Sequence, residues 1–193
     1  FLPKTSAASM MVKAHTSHNE AKRQEFLTIA LDCLREELQG QRGGMIPGNL
    51  LLESHTVEQI ADYYFRHGTS LSKDEANSIE KLLQDSAKFL SSLSIEIRMD
   101  LSAKYHRTLL FFLRAEALAQ RKDQSSLSSL EDMAAALSWR SQYEKLPPQC
   151  QSKLLLRLKR IRKLAPPSVM EKLDEAKALL VTDKKMNWQG CME

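Results

Sequence analysis

The chain contains few of the residues that mark turn-rich, disulfide-bonded or membrane-spanning proteins. Its 193 residues include only 6 glycines, 6 prolines and 3 cysteines. Few glycines and prolines disfavour a β fold with many turns, and three widely spaced cysteines argue against a secreted disulfide framework. The strongest apolar cluster, Leu109–Leu113, is far shorter than the ~20 residues that a helix needs to cross a bilayer. We therefore do not expect membrane insertion.

The sequence also lacks the short motifs that identify common catalytic and metal sites. The pair Gly43-Gly44 is not followed by Lys-Ser or Lys-Thr, and no His-Glu-x-x-His is present. His15 and His18 could share a metal ion, but no third or fourth ligand is evident near them. Cys150 lies at the start of a predicted helix, where a thiolate is favoured, yet an inert thiol is the simpler interpretation. We predict no catalytic residue, no cofactor and no metal.

Helix signals are what the sequence does contain. Five amphipathic stretches follow a Ser or Thr with Glu or Gln three residues later, and such a pair satisfies free backbone N–H groups at a helix start. These pairs are Ser17 and Glu20, Thr56 and Gln59, Ser72 and Glu75, Ser128 and Glu131, and Ser168 and Glu171. No stretch has the pattern of a strand. The sequence predicts an all-α fold of about seven antiparallel amphipathic helices forming helical hairpins, as an irregular bundle or a short solenoid-like array.

Apolar residues at three- and four-residue spacing give the predicted helix bounds. The ranges are 18–39, 56–68, 73–92, 95–121, 129–144, 148–165 and 168–181. The helix at 95–121 has the densest apolar positions, so we expect it to be central, with Leu101, Leu109 and Phe112 among its inward residues. The predicted organisation is a flexible segment at 1–17, a single domain over 18–181 and a tail at 182–193.

The most distinctive segment is the predicted helix that lies between two Pro-Pro pairs. Its apolar residues Leu154, Leu158 and Ile161 recur along one face, and its basic residues are not accompanied by any acid. The predicted partner-binding residues of this helix are Lys153, Arg157, Lys159, Arg160, Arg162 and Lys163. We expect the apolar face to hold the helix against the domain and the basic residues to face outward. Reversing the charges of Arg160 and Lys163 should then leave stability nearly unchanged.

Charge is unevenly distributed along the chain. Residues 140–193 contain 12 Lys+Arg and 6 Asp+Glu, a net charge of +6, whereas residues 1–139 contain 16 and 18 and carry −2. The basic helix could be a solvated face, a contact for an acidic protein, a nucleic-acid site that neutralises phosphates, or a membrane-surface helix. No aromatic residues alternate with its charges, which disfavours RNA, and no Trp or Phe lies on its apolar face, which disfavours lipid.

The beginning of the chain suggests a cellular location. The first nineteen residues include Lys4, Lys13, His15 and His18, and no acid precedes Glu20. This composition resembles the remnant of an organellar targeting region after cleavage; the alternative is that Phe1 is not a processed terminus. The predicted location is mitochondrial, on the matrix side, and otherwise cytoplasmic.

These observations favour a function in assembly over a function in catalysis. The predicted protein is a non-enzymatic accessory subunit or scaffold of a larger complex, such as a respiratory-chain or ATP synthase complex, with other subunits as its partners. The alternative is an organellar RNA-binding or mitoribosomal protein that places the basic helix on phosphate. Lys+Arg exceed Asp+Glu only by 28 to 24, and this small excess favours the first interpretation.

Overall fold

The computed structural model describes residues 7–40, 58–59, 62, 73–92 and 100–190. Across these ranges the chain is helical and contains no strand, so the all-α prediction is confirmed. The chain forms two compact units, residues 1–71 and residues 72–193, where the sequence predicts one domain over 18–181. Most of the predicted helix at 56–68 lies outside the described residues.

The first unit contains helices α1 (Ala7–Thr16) and α2 (Glu20–Gly40), which pack against each other. Both helices bury apolar side chains at helical spacing, namely Met10, Met11 and Ala14 of α1 and Leu27 and Ala30 of α2. The sequence predicts a flexible segment over 1–17, but part of that segment is α1, because its apolar face is removed from water in this unit.

The second unit is built from a longer succession of helices. Within the described part of the unit these are α3 (Lys73–Ser92), α4 (Leu101–Arg121), α5 (Gln124–Leu137), α6 (Pro148–Leu164) and α7 (Met170–Gly190). Short 3-10 helices at Arg140–Gln142 and Pro167–Val169 precede α6 and α7. Helix α4 packs against α3, α5 and α6, and is central as expected, while α7 packs against α5 and α6. The predicted tail at 182–193 is helical through Gly190.

The apolar face of α4 forms much of the core of this unit. Leu109, Phe112 and Leu113 are at most 1% exposed, as their spacing predicts. Leu101 was expected to face inward, but it is 44% exposed. The reason is its place as the first residue of α4, directly after Asp100, whose carboxylate accepts a hydrogen bond from the Ser102 N–H at 2.8 Å.

Helix α5 begins five residues before the predicted start at 129, because Asp123 caps it. The Asp123 carboxylate accepts a hydrogen bond from the Ser126 N–H at 2.7 Å and another from the Ser125 hydroxyl at 2.8 Å. The predicted capping pair Ser128 and Glu131 therefore lies inside the helix. An aspartate accepts well at this position, and the helix therefore starts at Gln124, directly after Asp123.

Side chains from the following turn close the end of α5, which stops at Leu137 rather than at the predicted 144. The Gln142 amide donates to the carbonyl of Ala136, and the Tyr143 hydroxyl donates to the carbonyl of Leu137. Burial raises the pKa of Tyr143, so its hydroxyl stays protonated and remains a donor. The Tyr143 ring also contacts Phe112 edge-on, with ring centroids 6.5 Å apart.

Two leucines of α4 offer a matched test of this core. Leu109→Ala should lower the free energy of unfolding by about 2–5 kcal/mol, because it leaves a cavity in a packed interior. Leu101→Ala removes the same atoms from a partly exposed position and should cost less than about 1 kcal/mol. Urea denaturation followed by far-UV circular dichroism measures both values, and equal losses would contradict this arrangement of α4.

The cap of α5 predicts a pH dependence. Hydrogen bonds from the Ser125 hydroxyl and the Ser126 N–H lower the pKa of Asp123 from 3.8 to about 2. The unfolded chain therefore takes up this proton first as pH falls, and the stability that Asp123 contributes is present above about pH 4 and is lost toward about pH 2.

Asp123→Asn keeps an acceptor at the cap but removes the titration. The difference in free energy of unfolding between the parent protein and this variant should shrink as the pH falls from about 4 to about 2. Urea denaturation at a series of pH values measures the difference. A difference that stays constant with pH would show that the Asp123 charge contributes nothing.

Candidate interaction site on the basic helix

Prolines set the limits of α6. Pro148 is its first residue. The backbone N–H groups in the first turn of a helix have no acceptor within the helix, so the N–H that proline lacks is not missed there. The helix ends at Leu164, just ahead of Pro166, and a proline cannot continue a helix. The predicted range of 148–165 therefore agrees with the structure to within one residue. Leu154, Leu158 and Ile161 are fully buried, so the predicted apolar face does hold α6 against the unit.

The prediction that Arg157 faces outward with the other basic residues of α6 is wrong. Its side chain is 8% exposed, and its Nη1 lies 3.4 Å from Oε2 of Glu116, a residue of α4 with no exposed side-chain surface. The Nε of Arg160 contacts the other carboxylate oxygen of Glu116. We call Glu116, Arg157 and Arg160 the buried charge cluster. Two of the six predicted partner-binding residues are therefore engaged within the protein.

Arg162 also has a partner within the protein. Its Nη2 lies 2.8 Å from Oδ1 of Asp174 on α7. Both side chains are partly exposed, so this ion pair contributes modestly to stability, but it joins the basic helix to the helix that follows. Arg162 is therefore a contact between α6 and α7 rather than a free cation.

The three lysines of the predicted set do face outward. Lys153, Lys159 and Lys163 are exposed, and none of them forms an ion pair with a described residue. Leu156 lies between the first two and is 65% exposed. The steps between these four residues are three, three and four, which places them along one side of a helix. We call Lys153, Leu156, Lys159 and Lys163 the lysine stripe.

The sequence contained a signal for the buried charge cluster. Arg157 follows Leu154 by three residues and precedes Ile161 by four, so the periodicity places it on the buried face. Glu116 follows Leu113 by three residues and is the only acid in α4. An acid on a buried face needs a basic partner, and α6 is the segment rich in such partners. Exposed Leu156 was also missed, although its position between two lysines marks it.

Cys150 lies near the start of α6. It is half-buried, and this burial raises the pKa of its thiol, with only partial opposition from the charge of Lys153. A raised pKa lowers the thiolate fraction at neutral pH, in keeping with an inert thiol. Of the two histidines that could share a metal, His18 is exposed, and the side chain of His15 lies outside the described residues.

Comparison of the chain with known protein families, curated proteins and solved structures finds no match. In the described ranges, no helix is both long enough and apolar enough to cross a bilayer. The same ranges contain no group of three or more His, Cys, Asp or Glu side chains placed to hold a metal ion. Helix α6 thus combines the exposed lysine stripe with ion pairs to α4 and α7.

The buried charge cluster predicts a large loss of stability when its acid is neutralised. Glu116→Gln leaves two guanidinium groups beside a neutral amide and should lower the free energy of unfolding by about 3–5 kcal/mol. Glu131→Gln makes the same change at an exposed position of α5 and should alter stability by less than about 0.5 kcal/mol. Urea denaturation compares them, and a similarly small effect at both sites would contradict the burial of Glu116.

The same geometry corrects the expectation for charge reversal at Arg160 and Lys163. Arg160→Glu places an acid against the buried Glu116 and should destabilise the protein, whereas Lys163→Glu changes an exposed residue. The double variant would therefore change the stability of the fold and the binding of a partner together, and the two effects could not be separated. Only the lysines of α6 can be reversed to test a contact surface.

Proposed function

We propose that this chain is a non-enzymatic helical subunit of a larger protein assembly and that the lysine stripe binds an acidic partner protein. The observation that carries the proposal is the pairing of three exposed lysines with an exposed leucine on one side of α6. The arginines of the same helix are used to hold it in place. The stripe is what remains available to a partner.

Leu156 favours a protein partner over a merely solvated face. Charged side chains alone are sufficient to keep a helix face solvated. Leu156 has 65% of its surface in water, and covering that surface with a partner would lower the free energy. Protein interfaces combine an apolar centre with a polar rim. Leu156 would lie at such a centre, flanked by lysines that attract acidic groups and orient the encounter.

The size of the stripe describes the kind of partner. Lys153 and Lys163 are ten residues apart, which corresponds to about 15 Å along a helix. An amphipathic helix with one apolar side chain among acids spaced by three and four residues would match this length. A stable interface buries about 800 Å² on each side, more than three lysines and one leucine supply. The stripe therefore fits one contact of a subunit that has several.

RNA is the alternative, and the net charge of +6 over residues 140–193 is the observation that favours it. An organellar RNA-binding or mitoribosomal protein would place the lysines on phosphate. Three lysines neutralise about three phosphates, fewer than the 6–10 contacts common in strong binding, and a phosphate backbone has no use for Leu156. A mitochondrial matrix location remains a prediction for either function, and subcellular fractionation tests it.

Reversal of the stripe should separate binding from folding. The triple variant Lys153→Glu, Lys159→Glu and Lys163→Glu should melt within about 2 °C of the parent protein, because exposed charges contribute little to stability. It should lose its place in the native complex, measured by co-migration on size-exclusion chromatography of cell extracts. The matched control reverses three other exposed lysines, Lys81, Lys145 and Lys177, and should leave the complex intact.

Leu156→Ser distinguishes the partner classes. It should weaken a protein contact without changing charge, and it should leave RNA binding unaffected. Treatment of the complex with RNase provides the second readout. A complex that survives the triple reversal would rule out the lysine stripe as its contact, and a complex that RNase dissolves would support the alternative.

A further inference from the structure

A cleft of about 350 Å³ opens at the end of the second unit where three helices meet. The last turn of α4 and the first turns of α5 form two sides, and the end of α6 forms the third. Its apolar lining comes from all three, namely Leu118, Ala119, Leu127, Leu130, Leu164 and Pro166. The cleft is near the lower end of the size range of small-molecule sites.

The polar part of the lining comes from the connection between α4 and α5 and from the first turn of α5, namely Lys122, Asp123, Gln124 and Ser126. The Asp123 carboxylate is already engaged by Ser125 and Ser126, and it lies 3.4 Å from the Arg121 guanidinium. Its charge is therefore balanced within the protein. The cleft thus has an apolar floor and a single polar edge, where the acid has partners of its own.

Lys122 is the remaining charge at this edge. It is exposed and forms no ion pair with any residue in the described ranges. Its backbone is left-handed, with φ 51° and ψ 18°, at the end of α4, a position where glycine is usual because it lacks a Cβ. A lysine there forgoes the conformational advantage of glycine and supplies a cation beside an apolar cleft. A ligand that matches both features has an anionic head and an apolar tail.

We propose that this cleft binds a small free amphiphile with an anionic head, of the medium-chain carboxylate class. The carboxylate would lie at Lys122 and the tail would contact the leucines of α4 and α5. At roughly 30 Å³ per non-hydrogen atom, as in liquid water, the volume holds about twelve such atoms. Octanoate fits that limit. This proposal does not depend on the lysine stripe, because the two sets of residues do not overlap.

The test is a titration of the full chain with sodium octanoate. Isothermal titration calorimetry and amide shifts in two-dimensional NMR measure the binding. Binding should saturate at one ligand per chain, with shifts concentrated at residues 118–130 and 164–166. 1-Octanol has the same tail without the charge and should bind more weakly. Lys122→Gln should weaken octanoate binding by about twofold to fivefold, the range of an exposed ion pair, and should leave octanol binding unchanged.

Two further variants make the test decisive. Lys145→Gln is the matched control, because Lys145 is also exposed and also left-handed, with φ 65°, but lies outside the cleft; it should not change octanoate binding. Leu127→Trp fills the cleft from a half-buried position and should abolish the binding of both ligands, with circular dichroism confirming the helical fold.

Several results would overturn the proposal. These are the absence of saturable octanoate binding, equal effects of Lys122→Gln and Lys145→Gln, and full binding by Leu127→Trp. Binding to phosphatidylserine vesicles without binding to octanoate would indicate contact with a membrane surface instead. The triple reversal of the lysine stripe should retain octanoate binding, so failure of one proposal is distinguishable from failure of the other.

Discussion

The carboxylate of Glu116 is the group on which the arrangement of α6 depends. It is removed from water in the interior of the second unit, where an unpaired charge would be strongly unfavourable. Arg157 and Arg160 pair with its two oxygens and so fix how α6 is rotated about its own axis. Once that rotation is set, Lys153, Leu156, Lys159 and Lys163 of the lysine stripe are exposed to solvent. A charge pair inside the protein thus determines which charges are available outside it.

The ends of the neighbouring helices are held by side chains rather than by backbone pattern alone. Asp123 begins α5, and Gln142 and Tyr143 satisfy the carbonyls at its end. These contacts define the course of the chain between α4 and α6, and the turn at the start of α5 also forms the polar edge of the cleft. One helix, α6, therefore contributes both to the proposed partner contact along its side and to the proposed ligand cleft at its end. The two surfaces differ in composition. The lysine stripe combines three lysines with one leucine, whereas the cleft combines several leucines with Lys122.

Prediction from the sequence succeeded where the signal is local. The bounds of α6, and the burial of Leu109 and Phe112, follow from prolines and from apolar spacing. It failed where two capping residues competed, because Asp123 rather than Ser128 caps the start of α5. It also failed at the start of α4, where Leu101 is exposed although its spacing predicts burial. It also failed for Arg157, because the fate of a charged side chain depends on its partner, and Glu116 is 41 residues away along the chain.

The sequence by itself determined the helical class, the proline limits of the basic helix and its excess of positive charge, because propensity, proline geometry and composition act over a few residues. Only the tertiary structure decided how the six basic residues divide between the interior and the surface. Arg157 and Arg160 are held by a buried acid, Arg162 is held by α7, and the three lysines are left to solvent. The physical reason is that an ion pair in a low-dielectric interior requires two distant segments to meet, and the approach of α4 to α6 is a property of the packed fold.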